Sequence, residues 1–194
     1  PSMIIAHRRD GTGSWRVYHK NLTNASYVLN MESTDAQGVS ATVWNSTAPT
    51  STVFSIGTNS EVNASSGTFV AYCFAEIEGY SQFGSYVANA AANGPFIYTG
   101  FKPAFIIFKC ITATRTYVMY DNARDPFNVV NDRLFPNTAD PNDPHASNDH
   151  VDFLSNGFKM RSAGTLLNAA GTYIFMAFAE NPFGGDGAAP GTAR

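Results

Sequence analysis

Apolar and polar positions along the chain fall in short runs rather than at helical spacing. Runs rich in Val, Ile, Tyr, Phe and Thr are broken by Gly, Asn, Ser and Pro. This predicts strands at 2–8, 14–19, 26–32, 41–44, 52–56, 67–77, 83–87, 95–99, 103–110, 116–120, 151–154, 157–161 and 171–180. No window of about eleven residues sustains an i, i+3, i+4, i+7 apolar stripe with caps at both ends. The best helical candidate is a turn or two between Asn122 and Leu134. Two runs, TFVAYCFAEI from Thr68 and GTYIFMAFAE from Gly171, are apolar at nearly every position, which predicts central strands covered on both faces. Short strands at regular intervals with turn signals between them indicate an all-β fold, a β-sandwich of jelly-roll type.

The pattern also repeats. PSMIIAH, Pro1 to His7, returns as PAFIIFK, Pro103 to Lys109, and the same offset sets Trp15 against Tyr117 and Tyr18 against Tyr120. Further on, Val53 to Thr58 and Asn63 to Glu76 return as Phe153 to Phe158 and Asn168 to Glu180. The small drift between these offsets is what loop insertions and deletions leave in a duplicated unit, since loops change length cheaply. We read a tandem duplication: a first repeat over 1–88 that starts late, a second over 89–183, and a mobile tail over 184–194. The second repeat is preceded by GPFIYTGFK, Gly94 to Lys102, which has no counterpart before Pro1. The first sheet is therefore expected to lack a strand, supplied by an upstream segment or a neighbouring chain, because an open sheet edge invites unwanted pairing.

Composition narrows the function classes. Of 194 residues 44% are apolar, enough for a substantial core without staples, and only 14% are charged, against about 25% in ordinary soluble proteins. A net charge of -3 and scattered Lys and Arg leave no basic field for a polyanion, so no nucleic-acid partner is expected. No apolar run approaches the roughly 18 residues of a membrane span and the start has no signal-peptide layout, so no membrane insertion is expected. Cys73 and Cys110 lie inside apolar runs and are expected as free structural thiols.

Candidate chemistry is sparse, and no cofactor, metal or catalytic set is assigned. Glu76 and Glu78, two apart on a predicted strand, would point to one side as the paired carboxylates of retaining glycosidases do. Against that, Glu76 recurs as Glu180 while the second carboxylate becomes Pro182, which suggests a shared structural role such as binding backbone N–H groups. The polar loop from Asn137 to Asp152 carries Asp143, His145, Asp149 and His150 as ligand-binding candidates; its alternative is a solvated turn, and its spacing fits neither an EF-hand nor a zinc helix. Trp15, Tyr18, Tyr117 and Tyr120 form an aromatic series at matched positions, either a stacking platform for sugar or cross-strand packing in the core. Sequons at Asn21, Asn24, Asn45 and Asn63 are expected to be unmodified, and Asp10-Gly11-Thr12-Gly13 reads as a hairpin turn.

The segments SWRVYHKNL, FAEIEGYSQFGSY, GPFIYTGFKPAF, DFLSNGFKMRS and AGTYIFMAFAENPFGG carry a resemblance. They are similar to a domain at the C-terminal end of large phage proteins described as tail-fibre or receptor-binding proteins, often downstream of laminin G-like modules. The resemblance implies a virion location and host-surface attachment through a glycan or protein, with other virion proteins as partners and a homo-oligomer, a trimer above all. It also implies a natural C-terminus at Ala193-Arg194 and a fragment boundary at the N-terminus. It brings no catalytic motif. A capsid decoration or tail scaffold protein that touches only virion proteins is the alternative, and a polysaccharide depolymerase using Glu76 and Glu78 a further one.

Overall fold

The computed structural model describes residues 1–141 and 148–182. They form an all-β domain in which every strand pairing is antiparallel. The first sheet holds β1 (Met3–Arg8), β2 (Arg16–His19), β3 (Tyr27–Asn30), β4 (Gly38–Val39) and β5 (Phe69–Phe74), in the order β4-β3-β2-β1-β5. The second holds β6 (Ser81–Ala88), β8 (Pro103–Cys110), β9 (Val118–Asp121) and β12 (Gly171–Ala179), in the order β6-β12-β8-β9. A small third sheet has the order β10-β11-β7, with β7 (Phe96–Tyr98), β10 (Val151–Leu154) and β11 (Gly157–Met160).

Period-two alternation decides how these sheets stack. In the first sheet Met3, Val17 and Leu29 share a buried cluster with Ile174, Met176 and Phe83 of the second sheet. The residues one step along, Ile4, Tyr18 and Val28, point the other way, onto Val43, Trp44 and Val62. The second sheet behaves alike: Ile106, Phe108, Tyr173 and Phe175 turn from the first sheet toward Phe153, Phe158 and Met160 of the third. The order of layers is thus a covering segment around residues 43–62, the first sheet, the second sheet, and the third sheet. Each half has a core of its own, and one core is shared between them.

Sequence and structure part at several elements. The predicted strands at 41–44 and 52–56 are turn and coil, because Asn45 and Ser46 take positive φ (52° and 48°) and bend the chain so that Trp44 plugs the sheet from outside. A single helical turn, α1 (Ser60–Asn63), follows, capped by Asn59 accepting the Glu61 N–H at 2.9 Å. The helical candidate at 122–134 is irregular, pinned by the Met119–Leu134 and Val130–Val151 bridges.

The strand at β5 also departs from expectation. It is an edge strand with Ala71, Tyr72 and Cys73 exposed, whereas its repeat partner β12 is central and buried along most of its length. Both cysteines are free, but Cys73 is exposed for the same reason. The strand expected at 83–87 is β6, and it pairs with β12 over its whole length.

Candidate functional site

Two openings carry the chemistry. The first is a cleft of ≈ 430 Å³ at the end of the space between the first two sheets, lined by Ile5, Trp15, Met31, Glu32, Tyr72 and Pro136. The pairing of β1 with β2, extended by one step, sets Trp15 opposite His7, and their rings stack at 4.1 Å and 1°. On the other side β5 places Tyr72 opposite Ile5, its ring 6.5 Å from Trp15 at 19°. The result is an aromatic shelf of His7, Trp15 and Tyr72 across three neighbouring chain segments. Glu32 fixes it in place: its Oε2 accepts the Trp15 N–H at 3.0 Å, and the Met31 N–H donates to the Trp15 carbonyl at 2.9 Å. A flat ring surface beside an exposed carboxylate suits a ligand with one apolar face and hydroxyl groups at its rim.

The same positions in the second half are closed. Ile107, Tyr117 and Met176, the repeat partners of Ile5, Trp15 and Tyr72, are covered by Met3, Val17 and His19, leaving a gap of only ≈ 10 Å³. There Lys109, the partner of His7, lies 5.3 Å over the Tyr117 ring and donates to the Thr34 and Arg115 carbonyls at 3.0 and 2.7 Å. Burial lowers its pKa to about 8. Of the two matched aromatic positions, Tyr117 is therefore covered between the sheets and Trp15 borders the open cleft.

This sorts the aromatic series. Trp15 is half-exposed in the cleft. Tyr18, Tyr117 and Tyr120 are buried and offer no face to a ligand. Tyr18 meets Trp44 edge-on at 6.1 Å, and Tyr120 donates its hydroxyl to the Asp149 carbonyl at 2.5 Å. Desolvation raises the Tyr117 pKa.

In the polar loop, Asp143 and His145 lie outside the described residues. Asp149 is buried and structural, its Oδ1 accepting the Leu166 and Leu167 N–H groups at 2.9 Å each and its Oδ2 paired with Arg133 at 3.0 Å. His150 is half-buried, and its N–H donates to Ser162 Oγ at 3.0 Å. Among the described residues no cluster of three His, Cys, Asp or Glu side chains could hold a metal.

The second opening is a groove of ≈ 380 Å³ lined by Glu76, Glu78, Gln82 and Tyr98. The two carboxylates do not sit side by side on a strand as their spacing predicts. They lie past the end of β5, in a turn closed by the Ile77–Ser81 bridge with Gly79 at φ 70°. Glu76 Oε1 accepts from Lys20 Nζ at 2.5 Å and from the Phe83 N–H at 3.3 Å. Glu180 is held alike, by Lys102 at 2.8 Å and Asn122 Nδ2 at 2.7 Å. Lys20 and Asn122 occupy matched positions, so the recurrent glutamate fastens the same corner in both halves.

Residues 1–182 match one family model, described as Domain of unknown function (DUF7483). The chain belongs to that family. No curated protein and no solved structure matches it. The DUF7483 match runs through both halves, so cleft, joint and groove all fall within the family's span.

Sequence reasoning missed Tyr72 and Glu32. Tyr72 looked like a core residue because its run is apolar throughout. Nothing in that run marks it, because its exposure follows from β5 lying at a sheet edge.

Proposed function

We propose that this DUF7483 domain is a non-enzymatic binding module of a phage virion appendage, of tail-fibre type, that attaches to a host-surface glycan through the Trp15–Tyr72 cleft. The observation that supports it is the open aromatic shelf with Glu32 at its rim, a surface for stacking one sugar ring and accepting hydrogen bonds from its hydroxyls. A shallow site of this kind binds weakly alone, and repetition in a homo-oligomeric fibre multiplies it. With this reading goes the finer architecture: a β-sandwich of jelly-roll type built from two duplicated units.

The test is binding of the labelled domain to host cells before and after their surface polysaccharide is stripped. Binding is expected to disappear on stripping, and Trp15→Ala and Tyr72→Ala are each expected to weaken it at least tenfold, about 1.4 kcal/mol. Equal binding to stripped cells refutes the glycan reading.

A second reading, a decoration or scaffold protein contacting only virion proteins, is favoured by Val87, Phe96 and Tyr98, which stand exposed on β6 and β7. Large apolar side chains on sheet edges suit a protein partner. Polysaccharide cleavage at Glu76 and Glu78 stands behind both, since Glu76 repeats as a fastening at a corner where Glu180 has no second carboxylate.

A further inference from the structure

Taking the glycan reading of the cleft, we infer that its ligand is a sugar unit carrying a protonated amino group, and that Glu32 is the residue that sets this choice. Among the described residues Glu32 is the one charged side chain lining the opening, and it stands exposed there. Its Oε2 accepts the Trp15 N–H at 3.0 Å. Among the described residues no Lys or Arg pairs with it, and its Oε1 has no hydrogen-bond partner. One carboxylate oxygen therefore holds the shelf and the other is available to a ligand.

The second half shows that the fold does not need this charge. There the N–H of Tyr117, the aromatic at the position matching Trp15, donates to Asn137 Oδ1 at 3.1 Å. A neutral amide thus makes, at the covered ring, the bond that a carboxylate makes at the open one. The negative charge is an addition found only where the ring can meet a ligand.

The covered ring also shows what such a position accommodates. Lys109 Nζ lies 5.3 Å from the Tyr117 centroid, where the ring quadrupole attracts an ammonium. In the first half the matched residue is His7, whose ring stacks flat on Trp15 at 4.1 Å and brings no ammonium. Two aromatic rings, Trp15 and Tyr72, and an unpaired carboxylate all favour a cation and oppose an anion. A uronic acid or a phosphorylated sugar would set its charge against Glu32. An amino sugar lays its apolar face on the rings and donates a charge-assisted hydrogen bond to Oε1.

The probes are cellotetraose and its 6-amino-6-deoxy and 6-carboxy forms, which share one backbone and differ in charge at C6. Each is titrated by calorimetry into the full chain at pH 7 and low salt. The aminated form is expected to bind about tenfold tighter than the neutral one, from an exposed ion pair and a cation–π contact together, and the carboxylated form most weakly. Glu32→Gln keeps an acceptor for the Trp15 N–H, and unchanged circular dichroism shows that it folds. It is expected to cut the preference for the aminated form by about threefold or more. High salt is expected to narrow the preference of the wild type more than that of the variant. Equal affinity for all three forms, each weakened by Trp15→Ala, overturns the inference and leaves the glycan reading standing. So does a preference that Glu32→Gln leaves intact. Binding of none of the three, or binding that Trp15→Ala does not weaken, refutes the glycan reading and the inference with it.

Discussion

His19 is 1% exposed between the two main sheets, its Nδ1 accepting the Asn21 N–H at 3.1 Å and its Nε2 3.2 Å from the Phe175 carbonyl. That pair of contacts selects the neutral Nε2–H tautomer, and burial lowers its pKa from 6.5 to about 4. Between those values the unfolded chain binds a proton that the native state refuses. Stability therefore falls as pH drops through that window, by about 2 kcal/mol from this group at pH 5. Urea unfolding at pH 7.5 and pH 5 checks it, with His19→Gln expected to flatten the dependence; an equally steep loss in the variant assigns the effect elsewhere. At the same scale, Trp15 and Tyr72 are the residues whose truncation is expected to separate binding from folding. Both rings border open space, so each alanine variant should keep its melting temperature within a few degrees while losing the glycan.

β5 and β12 carry nearly the same sequence pattern and meet opposite fates, which shows how little of a strand's burial belongs to the strand. β12 gains a neighbour on each side and a sheet over each face; among the described residues β5 has one neighbour, and it keeps Tyr72 48% exposed. The fit of β6 on β12 is tight at one point, where a Cβ on Gly84 would lie 2.5 Å from the Phe175 ring. Gly84→Ala should therefore cost about 1–3 kcal/mol in chemical denaturation and speed amide exchange along β6. A variant as stable as the wild type would mean that the Phe175 ring has room to move aside. The strands at β1, β2, β8, β9, β10, β11 and β12 were legible from alternation and their bounding turns. Those expected at 41–44 and 52–56 were not, because a hydrophobic run that plugs a sheet from outside has the same residue content as one that joins it.

The cluster of Met3, Val17, Leu29, Phe83, Ile174 and Met176 belongs to both halves, and backbone bonds cross the same joint, from the Gln37 N–H to the Ile111 carbonyl at 3.1 Å and from the Arg115 N–H to the Thr34 carbonyl at 2.8 Å. Neither half can lose this core without uncovering the other, so the domain is expected to unfold in one transition. Ile174→Ala should lower the single calorimetric transition by about 2–5 kcal/mol of stability without splitting it. Two resolved transitions in either protein would show that the halves are thermodynamically separate.

Several features were set by sequence alone: the all-β class, most strand positions, the internal repeat, and the pairing of Trp15 with Tyr117 and of Glu76 with Glu180. All follow from local periodicity and self-similarity, which need no knowledge of what touches what. Tertiary structure decided which copy of each repeated feature is covered. The same aromatic position is a plug at Tyr117 and an open shelf at Trp15, and the same strand is central at β12 and bare at β5. The physical reason is that burial depends on neighbours, and the neighbours of the two copies differ: the first sheet covers Tyr117, while among the described residues no strand lies on the far side of β5.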